Sequence, residues 1–366
     1  MRNLINWEFK HLLQQKIIYI TLMVIIGVVI VGHTVIDTAS KMEFDKSEGI
    51  ITEQELKTAE KNIKDLSFDY NVNFTILKAQ QLQDYQTAKI SELYQILQNK
   101  NSGSDTKIRK EIEMRENVDV MYLTYYFVAE SIVNYLSDDG VIFIGMLILV
   151  GIYSIFSRDT TTGVSQYTLT SKFGRTKLVT AKIIVTLTYT FFVTIGMIVF
   201  TWIYQLYRAS ANMIYWKHAF EGWDAPIQFI TGLATSPYAM SIAQFHFVQL
   251  GFLLLGSIVL AILILVVSSI SKNSFISFLI SLSILFIPIV VIDILKGETQ
   301  FEWINAIYPY TPTFIMKTQA LFETFRGFHI GSNVILGPYV AIVIGILLIV
   351  GSLFYLKWYV GSKKVV

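Results

Sequence analysis

One polar segment of the sequence carries the side chains best suited to binding chemistry. Asp159 supplies a carboxylate, Gly163 can end a helix, and a basic cluster follows that includes Lys172, Arg175 and Lys182. Opposite charges grouped around a helix-breaking glycine can dock on a second protein, since complementary charge gives an interface its specificity. This segment is therefore the candidate functional site.

Catalytic motifs are missing from the sequence. The five histidines never form H-E-x-x-H or another paired-ligand spacing, so no metal site is predicted. The phosphate-binding pattern G-x-x-x-x-G-K-[ST] does not occur. Asp293 stands alone, whereas an aspartyl protease needs two acids. The chain has no cysteine for thiolate chemistry. We therefore expect no enzymatic activity, no metal and no cofactor in this chain.

The composition places the chain in lipid. Of 366 residues, 53% are hydrophobic and 15% are charged, against about 25% charged residues in a soluble domain. The formal net charge of +2 gives no basic footprint for nucleic acid. We expect the lipid bilayer, and no nucleic acid, among the partners.

Six apolar segments approach the roughly 20 residues that a helix needs to cross a hydrocarbon core. They are 17–36, 141–156, 183–207, 245–270, 275–295 and 336–360. The second is the shortest and can borrow a turn from upstream, and Pro288 is expected to kink the fifth. The predicted fold class is an all-α integral membrane protein with six transmembrane helices.

The distribution of Lys and Arg orients these helices. Eleven Lys and Arg lie in the 52 residues of segments 1–16, 157–182, 271–274 and 361–366. Only five Lys and Arg lie in the 77 residues of loops 208–244 and 296–335. Basic loops stay on the cytoplasmic side. Both termini are therefore expected in the cytoplasm, with the protein in the cell membrane.

Two further elements flank the first span. Residues 1–16 place Ile5, Phe9 and Leu12 on one stripe, which is typical of an amphipathic elbow helix at the membrane surface. Residues 37–140 are polar and patterned for helix, so they form a predicted extracytoplasmic helical domain. Within it, apolar residues at alternating spacings of four and three predict one continuous helix over 114–135.

The segment 157–182 resembles the coupling region of the permease subunits of ABC-2-type (type V exporter-like) ABC transporters. In that family an acidic residue and a glycine follow the second membrane helix, and a Leu-Thr/Ser-Ser stretch, a Gly/Ser-Arg pair and an Ala-Lys lead into the third. The matching positions here are Asp159, Gly163, Leu169, Ser171, Gly174, Arg175, Ala181 and Lys182. The same family also has an elbow, six helices and, in some members, a large insertion, all of which are expected here. The Pro-containing turn at 308–312 fits it too, since members often carry re-entrant half-helices at that place.

The resemblance implies a division of labour between chains. A separate ABC ATPase, expected in two copies, would carry the ATP and the Mg²⁺. It would couple to positions Asp159, Gly163, Leu169, Ser171, Lys172, Gly174, Arg175 and Lys182. A second permease copy or a paralogue would complete the transporter. We expect an exporter of an amphipathic or hydrophobic substrate such as a peptide, an antimicrobial or a lipid-linked compound.

Two other classes stay open from the sequence. The outer domain can sense an extracellular ligand, peptide or accessory protein and signal through the inner loop, or act as a lid. An ion-coupled secondary transporter is the third class, although charged groups at mid-membrane, which such proteins use, are not evident. The residues fix neither the substrate, nor the direction of transport, nor the pairing of permeases, nor a role for Asp293 or Pro288.

Overall fold

The computed structural model describes residues 1–32, 49–64, 70–99, 105–163, 174–209, 220–295, 302–331 and 333–362. Most of these residues are helical. Numbered in chain order, the helices are α1 (Arg2–Leu13), α2 (Lys16–Gly32), α3 (Glu53–Lys64), α4 (Tyr70–Asn99), α5 (Asp105–Glu116), α6 (Phe127–Ser137), α7 (Asp139–Ile152), α8 (Ser157–Thr161), α9 (Gly174–Ala209), α10 (Ile242–Ile270), α11 (Ser274–Leu295), α12 (Glu302–Ile307), α13 (Pro312–Met316), α14 (Gln319–Phe322) and α15 (Gly337–Ser362). Two antiparallel strand pairs are formed by β1 (Gly49–Ile50) with β2 (Tyr122–Leu123) and by β3 (Gly327–Ile330) with β4 (Asn333–Leu336).

Five helical segments of the described chain are long and apolar enough to cross a bilayer. They are Phe127–Thr161, Thr176–Tyr207, Ile242–Ile270, Ser274–Ile292 and Gly337–Ser362. A sixth is added if α1 and α2, which are bent by 52° relative to each other, are counted as one span. The protein is therefore mostly helical and membrane-embedded, as the composition predicts.

Helices α7 and α10 form the centre of the bundle. Every residue of α7 from 147 to 152 is buried, and so is every residue of α10 from 259 to 262. Small residues allow the close approach. A Cβ at Gly145 would lie 2.5 Å from Leu285 of α11, and one at Gly151 would lie 2.4 Å from the Tyr189 ring of α9. Helix α15, in contrast, exposes large apolar side chains such as Leu347, which suit contact with lipid.

The predicted continuous helix over 114–135 is wrong. Helix α5 ends at Glu116, and α6 begins only at Phe127. Between them Val118 and Val120 are buried while their neighbours are exposed, which is the period-two pattern of an extended chain. The amide of Ile51 donates to the Met121 carbonyl at 3.0 Å beside the β1–β2 pair. Pairing with a distant segment therefore overrides the local helical spacing.

The helical segment that includes α7 begins well before the predicted start at residue 141. It runs from Phe127 to Thr161 with a break at Asp138, whose backbone leaves the helical region at φ −104° and ψ −86°. Because α6 is mostly buried, these extra turns belong to the bundle. Pro288 lies inside α11, and the side chain of Asp293 and all of Leu169, Ser171 and Lys172 lie outside the described residues.

The Pro-containing turn at 308–312 leads two short helices into the bundle. Every residue of α13 and α14 except Pro312 is buried. The Thr313 hydroxyl donates to the Leu285 carbonyl at 3.0 Å, and Met316 packs on Gly256, where a Cβ would lie 2.6 Å from the Met316 side chain. Leu285 and Gly256 stand at the middle of α11 and α10. The segment therefore enters to about half the depth of these helices.

We expect Gly222→Ala to destabilise the protein by about 2–5 kcal/mol, because strain and overlap add. Gly222 has φ +74°, and a Cβ there would lie 2.0 Å from the Tyr125 carbonyl oxygen. Gly232→Ala is the matched control, since Gly232 has φ +88° but its Cβ would meet only Gln319 at 3.7 Å. Thermal unfolding in detergent should rank Gly222→Ala well below Gly232→Ala, and equal losses would contradict the close approach.

Candidate functional site

The ammonium group of Lys182 lies buried near the start of α9. Its side chain is 1% exposed, and Nζ donates to Asp159 Oδ2 at 2.6 Å and to the Ile155 carbonyl at 2.5 Å. A buried charge is costly unless it is paired and hydrogen-bonded. The carboxylate of α8 and the Ile155 carbonyl in the turn between α7 and α8 supply both conditions. The structure therefore brings together Asp159 and Lys182, two of the predicted site residues.

Helix α1 completes the surroundings of the same ammonium. Glu8 Oε1 lies 3.6 Å from Lys182 Nζ, and the Glu8 side chain is 6% exposed. The Phe156 ring centroid lies 4.9 Å from Nζ, within the range of a cation–π contact. One cation thus joins α1, the turn before α8, and α9. We call Glu8, His11, Arg158, Asp159 and Lys182 the basic-end cluster.

A second contact of the basic-end cluster links α1 to α8. Arg158 Nη2 lies 2.6 Å from His11 Nδ1. A guanidinium can only donate, so Nδ1 accepts and the imidazole is unprotonated at that nitrogen. Burial, helped by the Arg158 charge, lowers the pKa of His11. The histidine therefore serves as a neutral acceptor in this contact.

The carboxyl of Glu8 is the least satisfied member of the basic-end cluster. Its Oε1 accepts no hydrogen bond among the described residues, and 3.6 Å is too long for one with Lys182. Burial raises the pKa of Glu8, while the Lys182 ammonium opposes that rise and the Asp159 carboxylate adds to it. Glu8 is thus held near a cation that is already bonded to Asp159.

Helix α8 is also tied to the turn between α10 and α11. The Ser268 hydroxyl accepts from the amides of Phe156 and Ser157 at 3.0 and 3.2 Å. The Ser157 hydroxyl donates to that of Ser274 at 3.2 Å, and Thr161 donates to the Lys272 carbonyl at 3.4 Å. The short helix at the start of segment 157–182 therefore contacts four other elements of the bundle.

The remaining predicted site residues are only partly placed. Gly163 follows α8 with φ +75°, the left-handed conformation in which glycine ends helices. Gly174 and Arg175 open α9, and the Arg175 side chain is not described. The structure does not describe Leu169, Ser171 and Lys172, so it neither joins them to Asp159 nor separates them from it.

Several polar residues of the site escaped the sequence-based prediction. Glu8 stands four residues before Leu12 on the buried face of α1, and only tertiary packing brings it to Lys182. Thr186, Thr190 and Thr194 continue from Lys182 at every fourth position of α9, and all three are completely buried. Residues four apart share a helical face. That spacing was the available signal for a buried polar face.

A second polar network lies toward the opposite end of the bundle. The Gln249 amide donates to the Val133 carbonyl and to the Ser137 hydroxyl, both at 2.8 Å. Its oxygen lies 2.9 Å from His246 Nδ1, and His246 Nε2 accepts from Trp202 at 3.2 Å. These bonds satisfy buried polar groups and fix α6, α9 and α10 together.

The insertion is held to the segment between α9 and α10 by one buried and one half-buried cation. Arg115 donates to Gln86 at 2.7 Å and to the Thr235 carbonyl at 3.3 Å. Lys78 donates to the Phe229 carbonyl at 2.8 Å and to the Tyr126 hydroxyl at 3.3 Å, and burial lowers its pKa. Helices α4 and α5 therefore rest on the loop that leads into α10.

Comparison with known proteins adds no family to this picture. The chain matches no family model, no curated protein and no solved structure. Among the residues that the structure describes, no group of three or more acids or histidines is placed to hold a metal ion. What the site can do must be inferred from its own contacts.

We expect Lys182→Met to destabilise the protein by about 3–5 kcal/mol, because it leaves the Asp159 carboxylate, whose side chain is only 17% exposed, without its cation. Adding Asp159→Asn should recover part of this loss, because the unpaired charge is then gone. Lys177→Met, at an exposed lysine of the same helix, should cost less than about 1 kcal/mol. Thermal unfolding in detergent measures all of these, and a double variant no better than the single one would count against the pair.

The raised pKa of Glu8 gives a second prediction, on the pH dependence of stability. An acid whose pKa is higher in the folded protein stabilises the fold below its ordinary value of 4.5 and loses that contribution as the pH rises through the folded value. We expect wild type and Glu8→Gln to unfold at similar temperatures near the ordinary pKa. At higher pH the variant should become the more stable, and the opposite trend would mean that Lys182 outweighs burial.

Proposed function

We propose that this chain is the membrane-spanning subunit of an ABC exporter, in which segment 157–182 contacts a separate ATPase. The observation that supports this best is the buried Lys182 ammonium, which joins α1, α8 and α9 at one end of the bundle. A partner that pushes on α8 would therefore act on several elements at once. In this proposal α1 is the elbow at the membrane surface, α2 contributes the first span, and six spans result.

The mechanism follows from the rigidity of these contacts. Closure of two ATPase copies on ATP and Mg²⁺ would displace α8, and the Asp159–Lys182 pair would carry the displacement to α9. The Ser268 and Ser274 contacts would carry it to α10 and α11. Movement between two permeases, either copies of this chain or paralogues, would then open a path for an amphipathic or hydrophobic substrate.

The proposed setting is the cell membrane, with both termini in the cytoplasm. The basic segments 157–182 and 271–274 then lie on the ATPase side, where the structure brings α8 against Lys272. Exposed apolar side chains on α2, α11 and α15 suit either lipid or a second permease. No catalytic role is assigned to the chain itself.

A sensor is the second candidate function, and a specific observation favours it. Arg115, Gln86 and Lys78 tie the insertion to the segment before α10 through buried contacts. A peptide or accessory protein that moves α4 would therefore displace the start of a central helix. This role requires no ATPase.

Co-purification separates the two roles. We expect an ABC ATPase encoded beside this chain to co-purify with it, and Arg175→Glu or Gly163→Ala to weaken that association about tenfold or more by loss of a charged contact or of the helix end. Arg109→Glu is the control, since this exposed arginine lies on α5 in the insertion, expected on the other side of the membrane. Melting temperatures should show that each variant is folded.

Two results would count against the exporter. In one, no ATPase binds the wild-type chain under conditions that preserve its fold. In the other, the ATPase binds, but Arg175→Glu, Gly163→Ala and Arg109→Glu all retain it equally. The first result would leave the sensor as the better proposal.

A further inference from the structure

A cavity of about 450 Å³ opens at the end of the bundle opposite the basic-end cluster. It lies between the start of α7, the end of α11 and the half-depth segment α13–α14. Ligand pockets in proteins usually have volumes of this order, with an apolar lining and a few placed polar groups. The cavity is separate from segment 157–182 and from every contact in the proposed coupling region.

The cavity has one apolar side. This side is lined by Ile289 and Ile292 of α11, Ile142 of α7, and Phe314 and Ala320 of the half-depth segment. Phe314 and Ala320 are each 6% exposed, so this surface faces inward and is withdrawn from lipid. An alkyl or aromatic group of a ligand would bury apolar area there.

The mouth of the cavity carries an excess of negative charge. Three carboxylates line it, from Asp138, Asp139 and Glu323, against the single ammonium of Lys317. Lys317 Nζ is already paired with Asp138 Oδ1 at 2.6 Å. No cation of the described chain pairs with Asp139. A positively charged group that enters the mouth would thus meet the exposed carboxylate of Asp139, with Glu323 in the same lining.

We propose that this cavity binds an amphiphile that carries an ammonium group, with its apolar part along Ile292 and Phe314 and its charge at Asp139 and Glu323. The ammonium can belong to a soluble alkylamine-like compound or to the headgroup of an aminophospholipid. The inference rests on the proposed function in one respect, since the proposed function identifies this ligand as the class of compound that is transported. Binding itself requires no ATPase.

Native mass spectrometry of the purified full chain in detergent tests the proposal with three probes of equal chain length. Dodecylamine should bind saturably at one molecule per chain, and dodecanol and dodecyl sulfate should bind at least about tenfold more weakly, because they lack the charge that the mouth attracts. Phosphatidylethanolamine that is retained through purification and competes with dodecylamine would identify the lipid as the source of the ammonium. Dodecylamine binding without such competition would identify the soluble source.

Variants of the mouth and of the apolar side test the two halves of the site. Asp139→Asn combined with Glu323→Gln should weaken dodecylamine binding by about tenfold or more, since the charge-assisted contacts are lost. The matched control is Glu92→Gln combined with Glu113→Gln, which removes two exposed carboxylates of the insertion far from the cavity. Ala320→Phe should abolish binding by filling the cavity, and melting temperatures should confirm that each variant is folded.

The proposal is overturned if dodecanol or dodecyl sulfate binds as tightly as dodecylamine. It is also overturned if the mouth variant and the control variant bind dodecylamine equally. Failure of the ATPase to co-purify would reject the exporter but would not alter these binding results. Loss of dodecylamine selectivity, in turn, would leave ATPase association untouched.

Discussion

The need to satisfy one buried ammonium organises the end of the bundle that carries α1 and α8. Lys182 is 1% exposed, so its charge must be met within the protein. Meeting it requires Asp159 on α8, the Ile155 carbonyl in the turn between α7 and α8, and α1 close enough to place Glu8 at 3.6 Å. Because the Ile155 carbonyl lies in this turn, the break between α7 and α8 is part of the same arrangement. The position of α1 follows from this contact and from the Arg158–His11 bond.

The membrane-embedded, mostly helical class could be predicted from composition and from apolar runs of sufficient length, because the cost of exposing backbone polar groups to lipid leaves few alternatives. The start of the helical segment formed by α6 and α7 could not be predicted in this way. Residues 127–140 mix Tyr, Glu and Asp with apolar residues, and their burial depends on contacts with distant loops, such as the bonds from Thr231 to Glu130 at 2.9 Å. The helix predicted over 114–135 failed for a related reason, since Ile51 draws Met121 into an extended pairing that no local spacing reveals.

The candidate site was predictable to a similar extent. Asp159 and Lys182 could be selected by residue type and by their place beside apolar runs, and the structure pairs them. Glu8 is more than 150 positions from its partner in the chain and carries no local signal. The three buried threonines of α9 share a four-residue spacing, but threonine is common inside apolar helices, so the spacing alone does not predict a polar face. Pairings between residues of one sequence segment could thus be predicted, whereas pairings that depend on how distant helices pack could not.

The two ends of the bundle are connected through α7. At one end the turn that follows α7 offers the Ile155 carbonyl to Lys182, and at the other end Asp138 and Asp139 line the acidic cavity. Between them Tyr189 of α9 donates to the Leu147 carbonyl at 2.7 Å and fits against Gly151, while Leu285 of α11 fits against Gly145. Close-packed contacts of this kind transmit displacement because interiors have few voids to absorb it. A shift of α8 that is passed on to α7 would therefore reach the Asp138–Lys317 pair at the cavity mouth, so α7 links the basic-end cluster to the cavity.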